Sequence, residues 1–244
     1  MEDCFFAIKK AGFDEVCFAS YDDTKVSWET QARLAQKYSL PVENAHLSGS
    51  GMTSVWSDGE EGDLLISRLI KELKEIADLG IKTGVVHVTW GHSVPPSPTE
   101  FALRRYQKAV DFAEKIGVNI ALENSVFPYH LHFLLDNLKS NRVGLCYDSG
   151  HENAFTPEED FVTRYYDRII ALHIHDNDGV RDLHAPPLKN GTIDWDKKIR
   201  ALLKTPYYNE RITLECGGGN VNTAEEFYSN IYYYGKKMDE YQPK

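Results

Sequence analysis

One βαβ unit in the middle of the chain decides the fold: TGVVHVTWGHSVPPSPTEFALRRYQKAVDFAEKIGVNIALEN, residues 83–124. A valine-rich apolar run is followed by a segment of helical periodicity, and a second apolar run begins after Gly117. Glycine directly after a helical run is typical of a helix C-terminus. Two strands joined through such a helix lie parallel in one sheet. The unit therefore predicts an α/β protein with a parallel sheet.

The same alternation of strand-like and helical segments covers the rest of the chain. Strands are predicted for the apolar runs at 14–20, 43–50, 83–91, 118–124, 143–151, 168–176 and 211–219. Helices are predicted for the periodic segments at 27–38, 64–80, 99–117, 131–140, 157–167, 195–204 and 224–241. Seven strands are therefore visible, each followed by a helix.

The number of repeats favours a barrel over an open sheet. Eight βα units in 244 residues have about 30 residues each, near the size of one βαβ repeat. A doubly wound sheet usually carries a GxGxxG turn after its first strand, where this chain has YDDTKVSW at 21–28. We therefore expect a single (β/α)8 TIM barrel domain over residues 1–244. The chain opens on the helix-like EDCFFAIKKAG at 2–12, so the first strand is expected to be missing or reduced.

Composition narrows the classes of partner. The chain has 27 Lys and Arg against 37 Asp and Glu, a net charge of −10, which repels a phosphate backbone and argues against nucleic acid. The cysteines form no CxxC pair, as expected for reduced thiols. The acidic start MEDCFFAIKK is unlike a signal peptide, and no apolar run approaches the length of a membrane span. These features predict a soluble cytoplasmic protein without a membrane partner.

Ionisable residues stand where the predicted strands end. They are Glu123 in IALEN, Asp148 in VGLCYDSGH, His173 and His175 in IIALHIHDND, and Glu215 in ITLEC. A TIM barrel gathers the C-terminal ends of its strands into one pocket. Buried carboxylates must be paired, hydrogen-bonded or bound to metal, because an isolated buried charge is costly.

Each of these residues alone fits a strand-end salt bridge, a helix cap or a core histidine. Together, three carboxylates and an imidazole form an oxygen-rich site that suits Mn2+ or Mg2+, with Zn2+ and Co2+ as alternatives. Further candidate ligands or substrate contacts stand at strand ends and on the loop after HIH, namely His46, His87, His151, Asp182 and His184. Trp90 could stack on a sugar ring.

The ordered set of motifs resembles one family. The motifs are ALEN with Glu123, YDSGH with Asp148 and His151, HIHDND with His175, RDLH with Asp182 and His184, GTIDW at 191–195, and TLEC with Glu215. In this order they resemble the xylose isomerase-like TIM barrels, which include sugar phosphate isomerases and epimerases and the endonuclease IV enzymes. The likeness covers nearly the whole chain. This chain departs from the family pattern before GTIDW. The family usually has a glycine-rich segment there, and this chain has PPLKNG instead.

The resemblance implies residue roles that differ between two branches. In the epimerase branch one divalent metal would be held by Glu123, Asp148, His175 and Glu215. The two glutamates would also serve as acid and base, and His151 and Arg181 would contact the substrate. In the endonuclease branch three zinc ions would be held by His46, His87, Glu123, Asp148, His151, one of His173 and His175, Asp182, His184 and Glu215.

The sequence thus predicts a divalent-metal-dependent isomerase or epimerase of a sugar or sugar phosphate, acting by proton transfer through a metal-stabilised enediolate. His87 and Trp90 are further candidate substrate contacts. Three alternatives stay open: a zinc-dependent phosphodiesterase of the endonuclease IV kind, a related dehydratase, and a barrel that binds sugar or metal without turnover. The expected partner is a small sugar, and a homo-oligomer is compatible with the sequence. Which sugar and which metal are bound is left open.

Overall fold

A computed structural model describes residues 1–208, 211–217 and 223–241. The chain divides into two compact units. The first unit comprises Met1–Val16, Leu34–Pro41 and Cys146–Lys244, and the second comprises Cys17–Arg33 and Val42–Leu145. The single domain over residues 1–244 stays a prediction.

Six strands form one sheet, in the order β1-β2-β3-β4-β5-β6. They are β1 (Val16–Ala19), β2 (Val42–His46), β3 (Thr83–His87), β4 (Asn119–Glu123), β5 (Val143–Asp148) and β6 (Ile169–His173). β3 lies parallel to both β2 and β4, with His87 opposite Glu123. Apart from the partly exposed Asn119, all residues of β4 are buried. The predicted α/β class with a parallel sheet is confirmed.

Ten α-helices are assigned in the described residues. They are α1 (Glu2–Ala11), α2 (Tyr21–Thr24), α3 (Trp28–Lys37), α4 (Glu60–Asp78), α5 (Glu100–Ile116), α6 (Pro128–Asn137), α7 (Ser149–Phe155), α8 (Phe161–Arg164), α9 (Trp195–Leu202) and α10 (Ala224–Asp239), and a 3-10 helix covers Met52–Trp56. Thr99 caps α5 by accepting the N–H of Ala102, and Gly117 ends it at φ 73°. Within the described residues no helix is both long and apolar enough to cross a membrane.

The first residues of the chain form a helix, as the sequence predicted. α1 covers Glu2–Ala11 of the helix-like segment predicted at 2–12. α1 packs against α10 within the first unit. Phe13, two residues beyond α1, meets Tyr232 of α10 with ring centroids 5.2 Å apart. The first assigned strand is β1, which follows α1.

The seventh predicted strand, at 211–219, is reduced in its described part to a single bridge. Leu214 pairs in parallel with Ile174, just beyond β6. The ladder stops there because neighbouring groups pair with the loop that follows β6: Asp176 bridges Ala185, and the N–H of Gly217 bonds to the carbonyl of His184 at 2.9 Å. Gly218 and Gly219 lie outside the described residues.

One predicted helix and one predicted strand need correction. Only Phe161–Arg164 of the predicted helix at 157–167 is helical, because Asp160 caps it from within that segment and the chain turns before β6. The predicted strand at 143–151 ends at Asp148, because residues 149–151 form the start of α7, a helix that was not predicted. Its sequence SGHENAF lacks an apolar period, and Asp148 nucleates it by capping.

Arg105 organises the core of the second unit from α5. Arg105 is 6% exposed, and its guanidinium donates to the carbonyl oxygens of Val55 at 3.0 Å, Ser57 at 2.7 Å and Gly59. It also pairs with Asp63 of α4 at 3.0 Å. One buried cation thus binds carbonyl groups in the last turn of the 3-10 helix and in the residues that follow it.

We expect Arg105→Met to lower the free energy of unfolding by roughly 2–4 kcal/mol, because it removes the donor from the buried carbonyl group of Val55 and from two partly buried hydrogen bonds, to Ser57 and Gly59. Lys108→Met is the matched control, since Lys108 makes only an exposed pair with the same Asp63, and it should cost less than about 1 kcal/mol. Urea unfolding of both variants gives the comparison. Equal losses would contradict this role of Arg105.

Candidate metal centres

Asp148 ends β5 at the centre of the acidic and imidazole groups of the first unit. Its carboxylate is fully buried, and Oδ1 accepts the N–H of His151 at 2.6 Å as the cap of α7. Both carboxylate oxygens also lie 3.1 Å from Nε2 of His175. The Asp148 carboxylate therefore both caps α7 and contacts the imidazole of His175.

The end of β6 brings a second carboxylate into this unit's cluster. Nδ1 of His173 lies 3.1 Å from Oε2 of Glu215 and 3.9 Å from Oδ2 of Asp148. The bridge between Ile174 and Leu214 sets this register, because it places Glu215 beside the strand end. Both histidines of HIH therefore contact Asp148, and His173 also contacts Glu215.

The loop after β6 adds Asp182 and His184. Oδ2 of Asp182 lies 3.2 Å from Nε2 of His151 and 3.0 Å from Nε2 of His184. The His184 ring stacks on His175, with centroids 4.2 Å apart and an interplanar angle of 11°. The first unit thus brings together seven of the predicted site residues: Asp148, His151, His173, His175, Asp182, His184 and Glu215.

Asp182 and His184 shift each other's pKa through their charges and their hydrogen bond. Burial acts to raise the pKa of the Asp182 carboxyl, but hydrogen bonds and charge from His151 and His184 outweigh it and hold that pKa far below its usual range. Burial acts to lower the pKa of His184, yet Asp182 and the Glu215 carboxylate raise it to about 9. In the metal-free protein His184 is therefore an imidazolium at neutral pH.

The second unit has its own cluster at the ends of β2, β3 and β4. Oε2 of the fully buried Glu123 lies 3.2 Å from Nε2 of His46 and 2.9 Å from Nε2 of His87. The two Nε2 atoms are 3.3 Å apart. Three potential ligand atoms therefore converge on one point.

Both clusters fit a divalent cation by their donor chemistry. Ligands about 2.0–2.1 Å from a tetrahedral zinc are separated by roughly 3.3 Å, close to the 2.9–3.3 Å separations in the second unit. In the first unit, ligand atoms of His175, His184 and Glu215 lie within 4.8 Å of one another. Oδ1 of Asp182 is buried there without a hydrogen-bond partner among the described residues, as expected of an atom that a cation would engage.

The predicted set of Glu123, Asp148, His175 and Glu215 draws on both units, and it stays a prediction. The same holds for two predicted substrate contacts. Arg181 is 72% exposed in its side chain and pairs with Asp178 at 2.7 Å. Trp90 is 44% exposed, and its ring centroid lies 5.6 Å from that of His87.

Sequence reasoning missed Ser149 and Gly150, which seat His175. The Ser149 hydroxyl donates to the carbonyl of His175 at 2.7 Å and accepts its N–H at 3.1 Å. A Cβ on Gly150 would lie 1.9 Å from Cε1 of His175, so only glycine lets the ring rest on α7. The signal was present in YDSGH, where both residues stand between the two predicted site residues.

The raised pKa of His184 predicts a pH dependence of stability in chelator-treated protein. The ionic contribution of His184 is complete below about pH 6.5 and is lost as pH rises through about 9, with an upper limit of about 3 kcal/mol. His184→Asn is the reference variant, because asparagine tolerates the φ of 47° found here. Urea unfolding from pH 6 to 10 should show the two proteins converging at high pH. A constant difference would disprove the ion pair.

Comparison with known proteins agrees with this architecture. A family model described as xylose isomerase-like TIM barrel matches residues 5–230. The curated protein y4fM of Sinorhizobium fredii is 43% identical over 75 residues, 30% of this chain. The curated protein MJ1311 of Methanocaldococcus jannaschii is 28% identical over 109 residues, 40% of this chain. The two matches span only 24% and 37% of the length of these relatives.

Two solved structures share the fold. D-allulose 3-epimerase from Methylomonas sp., in complex with D-allulose, has a TM-score of 0.75 at 21% identity, covering 96% of this chain and 89% of that one. A xylose isomerase-like TIM barrel protein from Mycobacterium smegmatis, in complex with magnesium, has a TM-score of 0.69 at 15% identity, covering 97% and 87%. Since the family model matches nearly the whole chain, this protein belongs to the xylose isomerase-like TIM barrel family.

Proposed function

We propose that this protein is a divalent-metal-dependent isomerase or epimerase of a sugar or sugar phosphate. The observation that carries the proposal is the position of Glu215. Its carboxylate shares a possible ligand group with His175 and His184, yet its side chain stays 32% exposed. A carboxylate that lies beside metal ligands and is still accessible can reach a bound substrate. The sugar epimerases among the structural relatives support this choice of chemistry.

In this proposal the protein's own carboxylates move the protons. Glu215 removes the proton from the carbon next to the ketose carbonyl, for which it must come within about 3 Å of the reacting carbon or its oxygen. Glu123, assigned by the family resemblance, acts as the complementary acid. A bound divalent cation supplies positive charge that stabilises the charge developing on the substrate oxygens.

The remaining residues of the proposed site hold the metal, orient Glu215 or contact the substrate. The proposed four-ligand set is Glu123, Asp148, His175 and Glu215, with Asp182 and His184 as additional ligands. His173 orients the Glu215 carboxylate through the contact of 3.1 Å. The fully buried Asp148 also ties that ligand group to α7 through its cap. His151, Arg181, His87 and Trp90 are proposed substrate contacts. Mn2+ or Mg2+ is proposed as the metal, because carboxylate oxygens dominate the proposed four-ligand set.

Solvent proton exchange tests this function directly. With Mn2+ supplied, wild-type protein should exchange deuterium from D2O into at least one of a panel of ketoses and ketose phosphates, read by NMR. Glu215→Gln should slow the exchange by about 10²-fold or more, because it removes the general base. Glu61→Gln, at an exposed carboxylate of α4, should leave the rate unchanged. If wild-type protein exchanges no substrate in the panel, the proposal is wrong.

A second candidate is metal-dependent hydrolysis of a phosphodiester. It is favoured by the number of ligand groups: His46, His87 and Glu123 converge in the second unit, while Asp182 joins His151 and His184 in the first. One catalytic ion needs three or four protein ligands, whereas several ions together can activate water and neutralise a leaving oxygen. The net charge of −10 opposes binding of duplex DNA.

Metal stoichiometry separates the two candidates. The isomerase proposal expects one tightly bound ion per chain, and phosphodiester chemistry expects about three zinc ions together with cleavage of an abasic duplex. Elemental analysis after dialysis against each metal gives the count. His46→Asn in the second unit should leave the count at one under the isomerase proposal and lower it under the hydrolase alternative.

A further inference from the structure

The loop between β6 and α9, residues 177–194, begins and ends at one buried carboxylate. Asp176 stands at the start of this loop and is 1% exposed. Its side chain accepts four N–H groups: those of Asn177 at 2.8 Å, Thr192 at 3.1 Å and Ile193 at 3.2 Å on Oδ1, and the indole of Trp195 at 2.7 Å on Oδ2. The carboxylate therefore ties the two ends of the loop together.

Close approach at this point requires Gly191. A Cβ on Gly191 would lie 1.8 Å from Cγ of Asp176, which no side chain can accommodate. The GTIDW motif at 191–195 thus has an identifiable task. Its glycine admits the carboxylate, two of its backbone N–H groups bind Oδ1, and its tryptophan binds Oδ2.

The backbone of Asp176 also holds the middle of the loop. Asp176 and Ala185 exchange N–H to carbonyl bonds of 2.8 and 2.9 Å. Ala185 directly follows His184, whose Nδ1 lies 2.9 Å from the carbonyl of Glu215. The segment carrying Asp182 and His184 is therefore attached to the same residue that closes the loop.

Backbone strain in the loop agrees with this attachment. His184 and Leu188 adopt φ values of 47° and 60°, the left-handed region that non-glycine residues rarely occupy. Such conformations cost free energy and persist only where surrounding contacts enforce them. The contacts described for Asp176 supply that enforcement from both ends.

We propose that Asp176 is a positioning residue, which closes loop 177–194 so that Asp182 and His184 are pre-arranged to bind a divalent cation. The inference rests on the metal binding of the proposed function. Pre-arrangement matters because an open loop would pay the conformational entropy of closure whenever a metal binds.

The hydrogen-bond pattern demands a carboxylate at this position. An asparagine offers one oxygen to the three backbone donors, and its NH2 group would then face the indole N–H of Trp195. Asp176→Asn should therefore release the loop. Trp195→Phe removes the opposing indole donor. The double variant should therefore recover part of the loop closure that Asp176→Asn alone loses.

Limited proteolysis of chelator-treated protein tests loop closure. A lysine-specific protease can cut this loop only at Lys189. Asp176→Asn should raise cleavage there by about tenfold or more, without raising cleavage at Lys71 of α4, because opening is local.

Asp178→Asn is the matched control: it removes the same charge two residues away but affects only the turn to Arg181. It should change the Lys189 rate less than twofold. Equal rates at Lys189 for wild type and Asp176→Asn, or a uniform rise at all lysines, would overturn the proposal.

Titration with Co2+ tests the positioning. Asp176→Asn should bind Co2+ at least tenfold more weakly and change the visible absorption of the loaded protein, with part of both effects reversed in the double variant. Unchanged affinity and spectrum would overturn the positioning role. If wild-type protein binds no Co2+, the metal-dependent function fails, while cleavage at Lys189 still decides whether Asp176 closes the loop.

Discussion

The site depends on the cost of burying carboxylates at strand ends. Asp148 and Glu123 are fully buried, and an uncompensated charge there would oppose folding strongly. The described ion pairs of both carboxylates are with imidazoles: His151, His173 and His175 for Asp148, and His46 and His87 for Glu123. Imidazoles compensate a carboxylate only partly, since their charge depends on protonation, and they are also good ligands. The groups that make these carboxylates tolerable in the core are therefore the groups that suit a metal.

This chemistry connects the fold to the two candidate functions. Family membership is compatible with both sugar isomerisation and phosphodiester hydrolysis, because one TIM barrel supports many reactions through its loops. What differs between them is the number of ions that the ligand groups hold. The partly exposed Glu215 favours proton transfer, whereas the separate three-ligand groups favour several ions. The net charge of −10 favours a small substrate over a duplex.

Much of the architecture was predictable because its causes are local. The period of the apolar residues marks β3, α5 and β4, and Gly117 marks the end of α5. The reduced strand at Leu214 was not predictable. Within the residues that the structure describes it pairs at a single bridge, because the loop at Asp176–Ala185 takes the neighbouring groups. α7 was missed for a similar reason: one cap from Asp148, which the sequence offered only as an alternative role, starts a helix without an apolar period.

By itself the sequence determined the α/β class and the family, and it proposed the residue types of the candidate site, because strand-end acids and histidines follow from pattern and order along the chain. Only the tertiary structure decided their partners. It put His173 beside Glu215, stacked His184 on His175, and seated His175 on Gly150. It also turned Asp176 and GTIDW into the closure of one loop. These contacts join residues distant in sequence, and their distances depend on how strand ends and loops pack rather than on any local period.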